Sequence, residues 1–173
     1  MKRLATIWLD GCSGCHMSLL DTDEKIVDIA KQVDVVFSPY VDTKEFPENV
    51  DIALVEGSVS SEEDLEKIKK IRKNTKMLIS FGDCAITGNI SAMRNLYGAE
   101  ATVRRCYVEY DNATPPTEEI PALLERVLPI HEVVDVDFHI QGCPPPADAI
   151  AYALTELIAD RIPNLDEITR FGK

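Results

Sequence analysis

Short runs of β-branched and aliphatic residues recur along this chain, and between them lie stretches with the periodicity of amphipathic helices. Residues 4–9 (LATIWL), 33–37 (VDVVF), 52–55 (IALV), 77–81 (MLISF) and 133–140 (VVDVDFHI) read as strands. Several are continuous apolar runs rather than alternating ones, the pattern of strands covered on both faces. Helical spacing appears at 18–32, where Leu19, Leu20, Ile26, Val27, Ile29 and Ala30 can share a face. It appears again at 62–73, where Leu65, Ile68 and Ile71 follow Ser60 and Ser61, either of which can cap the helix. A third helix, 147–160, follows three prolines, which suit the segment before a helix or its first turn but not its interior.

Strands alternating with helices predict an α/β fold with a doubly wound, flavodoxin-like parallel sheet. Residues 88–97 read as a short helix after a loop, and 107–121 as a long surface excursion. No internal repeat, low-complexity tract or linker divides the chain, so 1–173 reads as a single domain.

The distinctive residues fall where the strands end. The first strand runs into Asp10-Gly11-Cys12-Ser13-Gly14-Cys15, and the third into Glu56-Gly57-Ser58. The fourth runs into Gly82-Asp83-Cys84, and the last into Gln141-Gly142-Cys143-Pro144-Pro145-Pro146. Open parallel sheets bind ligands in the crevice outside the carboxyl ends of their strands. Cys12, Cys15, Cys84 and Cys143 should therefore converge on one edge. Four soft anionic ligands suit the corners of a [4Fe–4S] cube, with Cys12 and Cys15 gripping two corners from one tight turn. Glycines at 11, 14, 82 and 142 would let backbone pass close to such a group.

The spacing alone leaves other readings open. A C-x-x-C pair also occurs in thioredoxin-like redox sites, in zinc sites and as plain buried thiols. Two further glycine-flanked cysteines at equivalent strand ends speak against the thioredoxin reading. Zinc sites with four cysteine ligands usually draw on two close pairs, not on one pair and two distant single residues. Cys106 follows Arg104 and Arg105 without glycine neighbours and reads as a buried or half-buried free thiol. His16 would either hydrogen-bond near the thiols or lie on the surface; His139 and Trp8 read as core, and His131 as exposed. Glu56 should face the crevice, and Asp21 should end a helix or meet a partner.

Composition narrows the partners. With 18 Lys and Arg against 30 Asp and Glu, the net charge of −12 makes nucleic acid and anionic membrane surfaces poor partners. No apolar run approaches the ~20 residues a membrane span needs. The start, MKRLATIWLDGC, holds neither a signal-peptide core nor a twin-arginine pair, so the chain reads as cytoplasmic. Five cysteines in that compartment point to metal or redox chemistry rather than to disulfides.

The segment from Trp8 to Asp21 (WLDGCSGCHMSLLD) resembles the amino-terminal signature of nickel–iron hydrogenase small subunits, most closely those of soluble, bidirectional NAD(P)-linked enzymes. Val55-Glu56-Gly57-Ser58, Gly82-Asp83-Cys84-Ala85 and Gly142-Cys143-Pro144-Pro145 match the later motifs of that family in order. The resemblance implies that Cys12, Cys15, Cys84 and Cys143 hold one proximal [4Fe–4S] cluster, with Glu56, Gly14 and His16 around it rather than bound to it. It implies as partners a large subunit carrying the Ni–Fe site and diaphorase subunits with Fe–S clusters and a flavin. No hydrogen-splitting site and no catalytic residue would then lie in this chain.

The small cluster subunit of respiratory complex I resembles this sequence at Cys84 and Cys143, but has adjacent cysteines where this chain has Cys12 and Cys15. Small subunits of deazaflavin- or sulfur-linked hydrogenases share the C-x-G-C start and stay open as alternatives. Cysteines rather than a Ser/Thr-rich phosphate cradle occupy the loop after the first strand, which argues against FMN in this chain.

Overall fold

The computed structural model describes residues 1–172. Five parallel strands form the central sheet: β1 (Lys2–Trp8), β2 (Val33–Phe37), β3 (Val50–Glu56), β5 (Thr75–Phe81) and β7 (Phe138–Ile140). Their spatial order is β2-β1-β3-β5-β7, the order of a flavodoxin-like doubly wound sheet. The chain leaves β1 towards β2 and returns to β3 on its other side, which makes the β1–β3 boundary the topological switch point.

Alternate strand residues feed two apolar layers. Leu4, Ile52, Leu54, Ile79 and Phe81 pack under α1 (Gly14–Leu20), α2 (Lys25–Ala30) and α6 (Ala147–Ile158). Ala5, Ile7, Ala53, Val55 and Leu78 pack under α3 (Glu62–Lys73) and α4 (Asp83–Thr87). Helix α3 begins where a capping box forms: Ser61 Oγ accepts from the Asp64 amide, and the Asp64 carboxylate accepts from the Ser61 amide. Among the described residues no helix is long and apolar enough to cross a membrane.

The expected helix over 18–32 is two helices. Residues 21–24 break it, with Asp23 at φ 51° and Thr22 Oγ1 donating to the Leu19 carbonyl. Competing side-chain hydrogen bonds of this kind end helices early. The expected strand over 133–140 shrinks to Phe138–Ile140, because the 3-10 turn at Ile130–Glu132 runs on into Val133 and Val134, whose amides donate to the Ile130 carbonyl. The predicted helix over 88–97 is a 3-10 turn at Ser91–Leu96. The 107–121 excursion is a surface segment, entered through α5 (Ala99–Val103) and a π-helical turn at Arg104–Glu109. It returns as β6 (Leu123–Leu128), antiparallel to the three-residue β4 (Val59–Ser61), a pairing too short to show as a pattern.

Three burial expectations are corrected. Trp8 is 49% exposed, because β1 ends there beyond the covering helices, and its Nε1 donates to the Gly11 carbonyl at 3.1 Å. His139 is exposed because β7 lies at the sheet edge. Cys106 is exposed on the π-helical turn rather than buried. His131 is exposed as expected, and Asp21 caps the end of α1.

Leu54 is fully buried at the centre of β3. Leu54→Ala should lower the unfolding free energy by about 2–5 kcal/mol in a urea titration. A loss well under 1 kcal/mol would contradict the assignment of this strand to the middle of the core.

Candidate functional site

Parallel pairing carries the four cysteine loops to one edge. Trp8 lies beside Glu56, Glu56 beside Phe81, and Phe81 beside Ile140, so β1, β3, β5 and β7 end in step. The cysteines follow these ends within a few residues.

The first loop is held from across the switch point. Asp10 and Ser58 exchange backbone hydrogen bonds of 3.1 and 2.8 Å. Gly57, at φ 89°, lies so close that a methyl group there would meet the Leu9 carbonyl carbon at 2.8 Å. Only glycine combines that φ with that approach. The chain then turns through Ser13, at φ 63°, into α1.

Glu56 fastens the start of this helix. Its side chain is 2% exposed; Oε1 accepts from the Cys15 amide at 3.3 Å and Oε2 from the His16 amide at 3.0 Å. The same Oε2 pairs with His16 Nδ1. These are amides at the first turn of a helix, which lack partners of their own. His16 is wholly buried, which excludes the surface reading, and its ring meets Tyr40 and Phe81 edge to face. Among the described residues, His16 Nε2 has no hydrogen-bond partner.

Cys15 passes directly over Gly82. A methyl group built at Gly82 would stand 2.2 Å from Cys15 Sγ, and φ of 85° further reserves the position for glycine. Cys12 lies on the other flank of the turn, its Sγ 3.2 Å from where a side chain at Gly14 would begin, with Pro144 also alongside. Ser18 Oγ donates to the Pro145 carbonyl at 2.6 Å and so ties α1 to the Cys143 loop. Asn89 Nδ2 donates to Cys143 Sγ at 3.3 Å, and the Ile90 amide donates to Cys84.

Neighbouring thiols act on Cys15 and on Cys84. Burial pushes the Cys15 thiol far up, and the Glu56 carboxylate and then Cys84, Cys12 and Cys143 push it further. Burial also raises Cys84; the Ile90 amide pulls it back, while Cys12, Cys143 and Glu56 add to the rise. Cys12 and Cys143 are exposed and Cys15 and Cys84 buried, so the group opens to solvent on one side. Cys106 is not among the groups that act on Cys15 or Cys84. Among the described residues, no three His, Cys, Asp or Glu side chains converge on one point as ligands of a single ion.

The donor set fits an iron–sulfur cluster in its chemistry. Four thiols follow strand ends at one edge of the sheet, amide donors act on two of them, and glycine replaces side chains where sulfur needs room. Glu56, which the sequence suggests should face the crevice, is buried against the Cys15 turn; sequence reasoning misses Asp83, which is 4% exposed and joins the Cys84 and Cys143 loops. Its position just before Cys84 at a strand end was the available signal.

Residues 12–157 match the family described as NADH ubiquinone oxidoreductase, 20 Kd subunit. The chain is 40% identical over 166 residues to the delta subunit of the NAD-reducing hydrogenase HoxS of Cupriavidus necator, covering 92% of this chain and 79% of that one. It is 39% identical over 164 residues to a subunit of the F420-non-reducing hydrogenase of Methanothermobacter thermautotrophicus. That match covers 90% of this chain and 53% of the relative, so the chain spans about half of that protein's length. A crystal structure of NAD+-reducing [NiFe]-hydrogenase in the H2-reduced state aligns with a TM-score of 0.93 at 38% identity, over 99% of both chains. The [NiFeSe] hydrogenase of Desulfovibrio vulgaris Hildenborough, at 18% identity and a TM-score of 0.57, shares the fold.

Gly82→Ala tests the packing of the site. The methyl group must displace Cys15 Sγ, so Cys15 should react faster with a thiol reagent, and stability should fall by about 1–3 kcal/mol. Unchanged labelling and stability would contradict the close approach.

Proposed function

The chain belongs to the NADH ubiquinone oxidoreductase 20 Kd subunit family, and from that premise we propose that it is the electron-transfer small subunit of a cytoplasmic NAD(P)-reducing [NiFe] hydrogenase. The observation that carries the reading is that the loops bearing Cys12, Cys15, Cys84 and Cys143 leave β1, β5 and β7 at one sheet edge, with Cys15 Sγ against Gly82 and Cys12 Sγ against Gly14. In this reading the four cysteines are the ligands of one [4Fe–4S] cluster. When bound, such a cluster supplies reversible one-electron storage at a potential set by its surroundings.

The protein residues do the rest. Burial and neighbouring negative charge raise the Cys15 and Cys84 thiols, and a positively charged group beside them would favour the thiolate forms that bind metal. Asn89 and the Ile90 amide donate hydrogen bonds to Cys143 and Cys84, an interaction that tunes cluster potentials. Glu56 fixes the Cys15 turn through backbone amides and leaves the thiols free to bind. Gly14 leaves room beside Cys12, and His16 fills the interior behind Cys15.

The partners in this reading are a large subunit that carries the Ni–Fe site and a diaphorase that exchanges electrons with NAD(P). The exposed side of the site, at Cys12 and Cys143, is where a partner's redox centre would approach. The acidic surface disfavours nucleic acid and anionic lipid as partners. The loop that would cradle a flavin phosphate is occupied by Cys12 and Cys15, so no FMN is assigned to this chain.

Anaerobic purification should yield about four iron and about four acid-labile sulfide per chain, the content of one cube. Stoichiometric zinc without sulfide would overturn the reading. Cys84→Ser should abolish or disrupt the cluster and stop hydrogen-dependent NAD reduction by the complex, whereas Cys106→Ser should preserve both.

A further inference from the structure

Asp83 stands at the end of β5, immediately before Cys84, with a side chain almost wholly removed from solvent. Backbone amides occupy both its carboxylate oxygens. Oδ1 accepts from the Gly142 N–H at 2.7 Å, and Oδ2 from the Gly172 N–H at 2.7 Å. In return the Asp83 N–H donates to the Gly142 carbonyl at 2.9 Å, and the adjacent Gly82 N–H to the Ile140 carbonyl at 2.7 Å. The residue before Cys84 and the residue before Cys143 are thus locked in a reciprocal pair, and the tail is tied to the same group.

A carboxylate suits this position because it offers two acceptors and no donor on a short arm. Charged acceptors also make shorter and roughly twofold stronger hydrogen bonds than neutral ones. An amide of similar size has one acceptor oxygen in place of two, so it would lose one of these bonds, at the greater cost if the buried Gly142 N–H is the one left without a partner.

We propose that Asp83 is a positioning residue for the four-thiol site: by bridging the Gly142 and Gly172 amides it sets the separation of Cys84 and Cys143. The proposal rests on the reading of those cysteines as cluster ligands. A purely structural role would be to hold β5 against β7, and Asp137 supplies the control. At the other end of the same strand pair, its N–H donates to the Leu78 carbonyl at 2.9 Å and its Oδ2 accepts from the Leu78 N–H at 2.7 Å, with no thiol nearby in sequence.

The test uses the full chain reconstituted anaerobically with iron and sulfide, comparing wild type with Asp83→Asn, Asp137→Asn and Gly172→Pro. Asp83→Asn should keep the wild-type circular dichroism, lose iron and sulfide by about twofold or more, and shift the electron paramagnetic resonance g-values of the reduced protein. Asp137→Asn should lower the unfolding midpoint yet keep wild-type iron content and g-values. Gly172→Pro removes the donor to Oδ2 and, because proline cannot adopt the φ of 74° found there, also redirects the backbone away from Asp83; it should shift the g-values in the same direction by less. Wild-type iron content and g-values in Asp83→Asn, or equal losses in Asp137→Asn, would overturn the proposal. If Asp83→Asn fails to fold, unaltered g-values in Gly172→Pro overturn it instead. A wild-type chain that takes up no iron and sulfide would overturn the ligand reading itself, a result distinct from loss in the variants alone.

Discussion

The parallel hydrogen bonding of β1, β3, β5 and β7 decides which loops of this chain can meet, because strands running in one direction deliver all their outgoing loops to one edge of the sheet. Residues far apart in sequence become neighbours without any contact specific to them. What the sheet cannot do is fix spacing to the fraction of an ångström that a ligand set requires. That task falls to polar groups within the loops. Glu56 takes two amides of the Cys15 turn, Asp83 takes the amide before Cys143, and Asp10 and Ser58 close the first loop onto the third.

Both buried carboxylates accept from backbone N–H groups, and Glu56 pairs in addition with His16 Nδ1. Backbone donors are held by the fold and cost little further ordering, so they can satisfy a buried anion where a long basic side chain would crowd the thiols. The same economy of space explains Gly82 and Gly57, where a single methyl group would collide with a sulfur atom or with the neighbouring backbone. Elsewhere the sheet is ordinary apolar packing. The unusual residues cluster where the strands stop, and there the chain departs from what stability alone would select.

The sequence reveals the parts of this molecule that follow from local pattern. The strand at 33–37 and the helix at 62–73 match the structure residue for residue, because a short valine-rich segment and a capped amphipathic repeat are local signals. Burial at the sheet's margins is harder to read. His139 and Trp8 look like core in sequence, but one lies on an edge strand and the other beyond the covering helices, which only topology determines. The β4–β6 pair joins segments more than sixty residues apart through a three-residue strand, too short for any periodicity. At the site, cysteines and glycines were visible as motifs, and Glu56 stood out as a carboxylate at a strand end. Asp83 had the same signature, but its role depends on reaching Gly142 and Gly172, contacts that exist only once β5 and β7 lie together.

X-ray absorption at the iron edge of the anaerobically purified chain tests the central claim most directly, since it reports what the four thiols surround. A cluster held by these cysteines predicts iron with sulfur neighbours at bonding distance and a second shell of iron scatterers, lost in Cys84→Ser and retained in Cys106→Ser. A chain without iron, or a single metal ion with sulfur ligands and no metal neighbour, would contradict it.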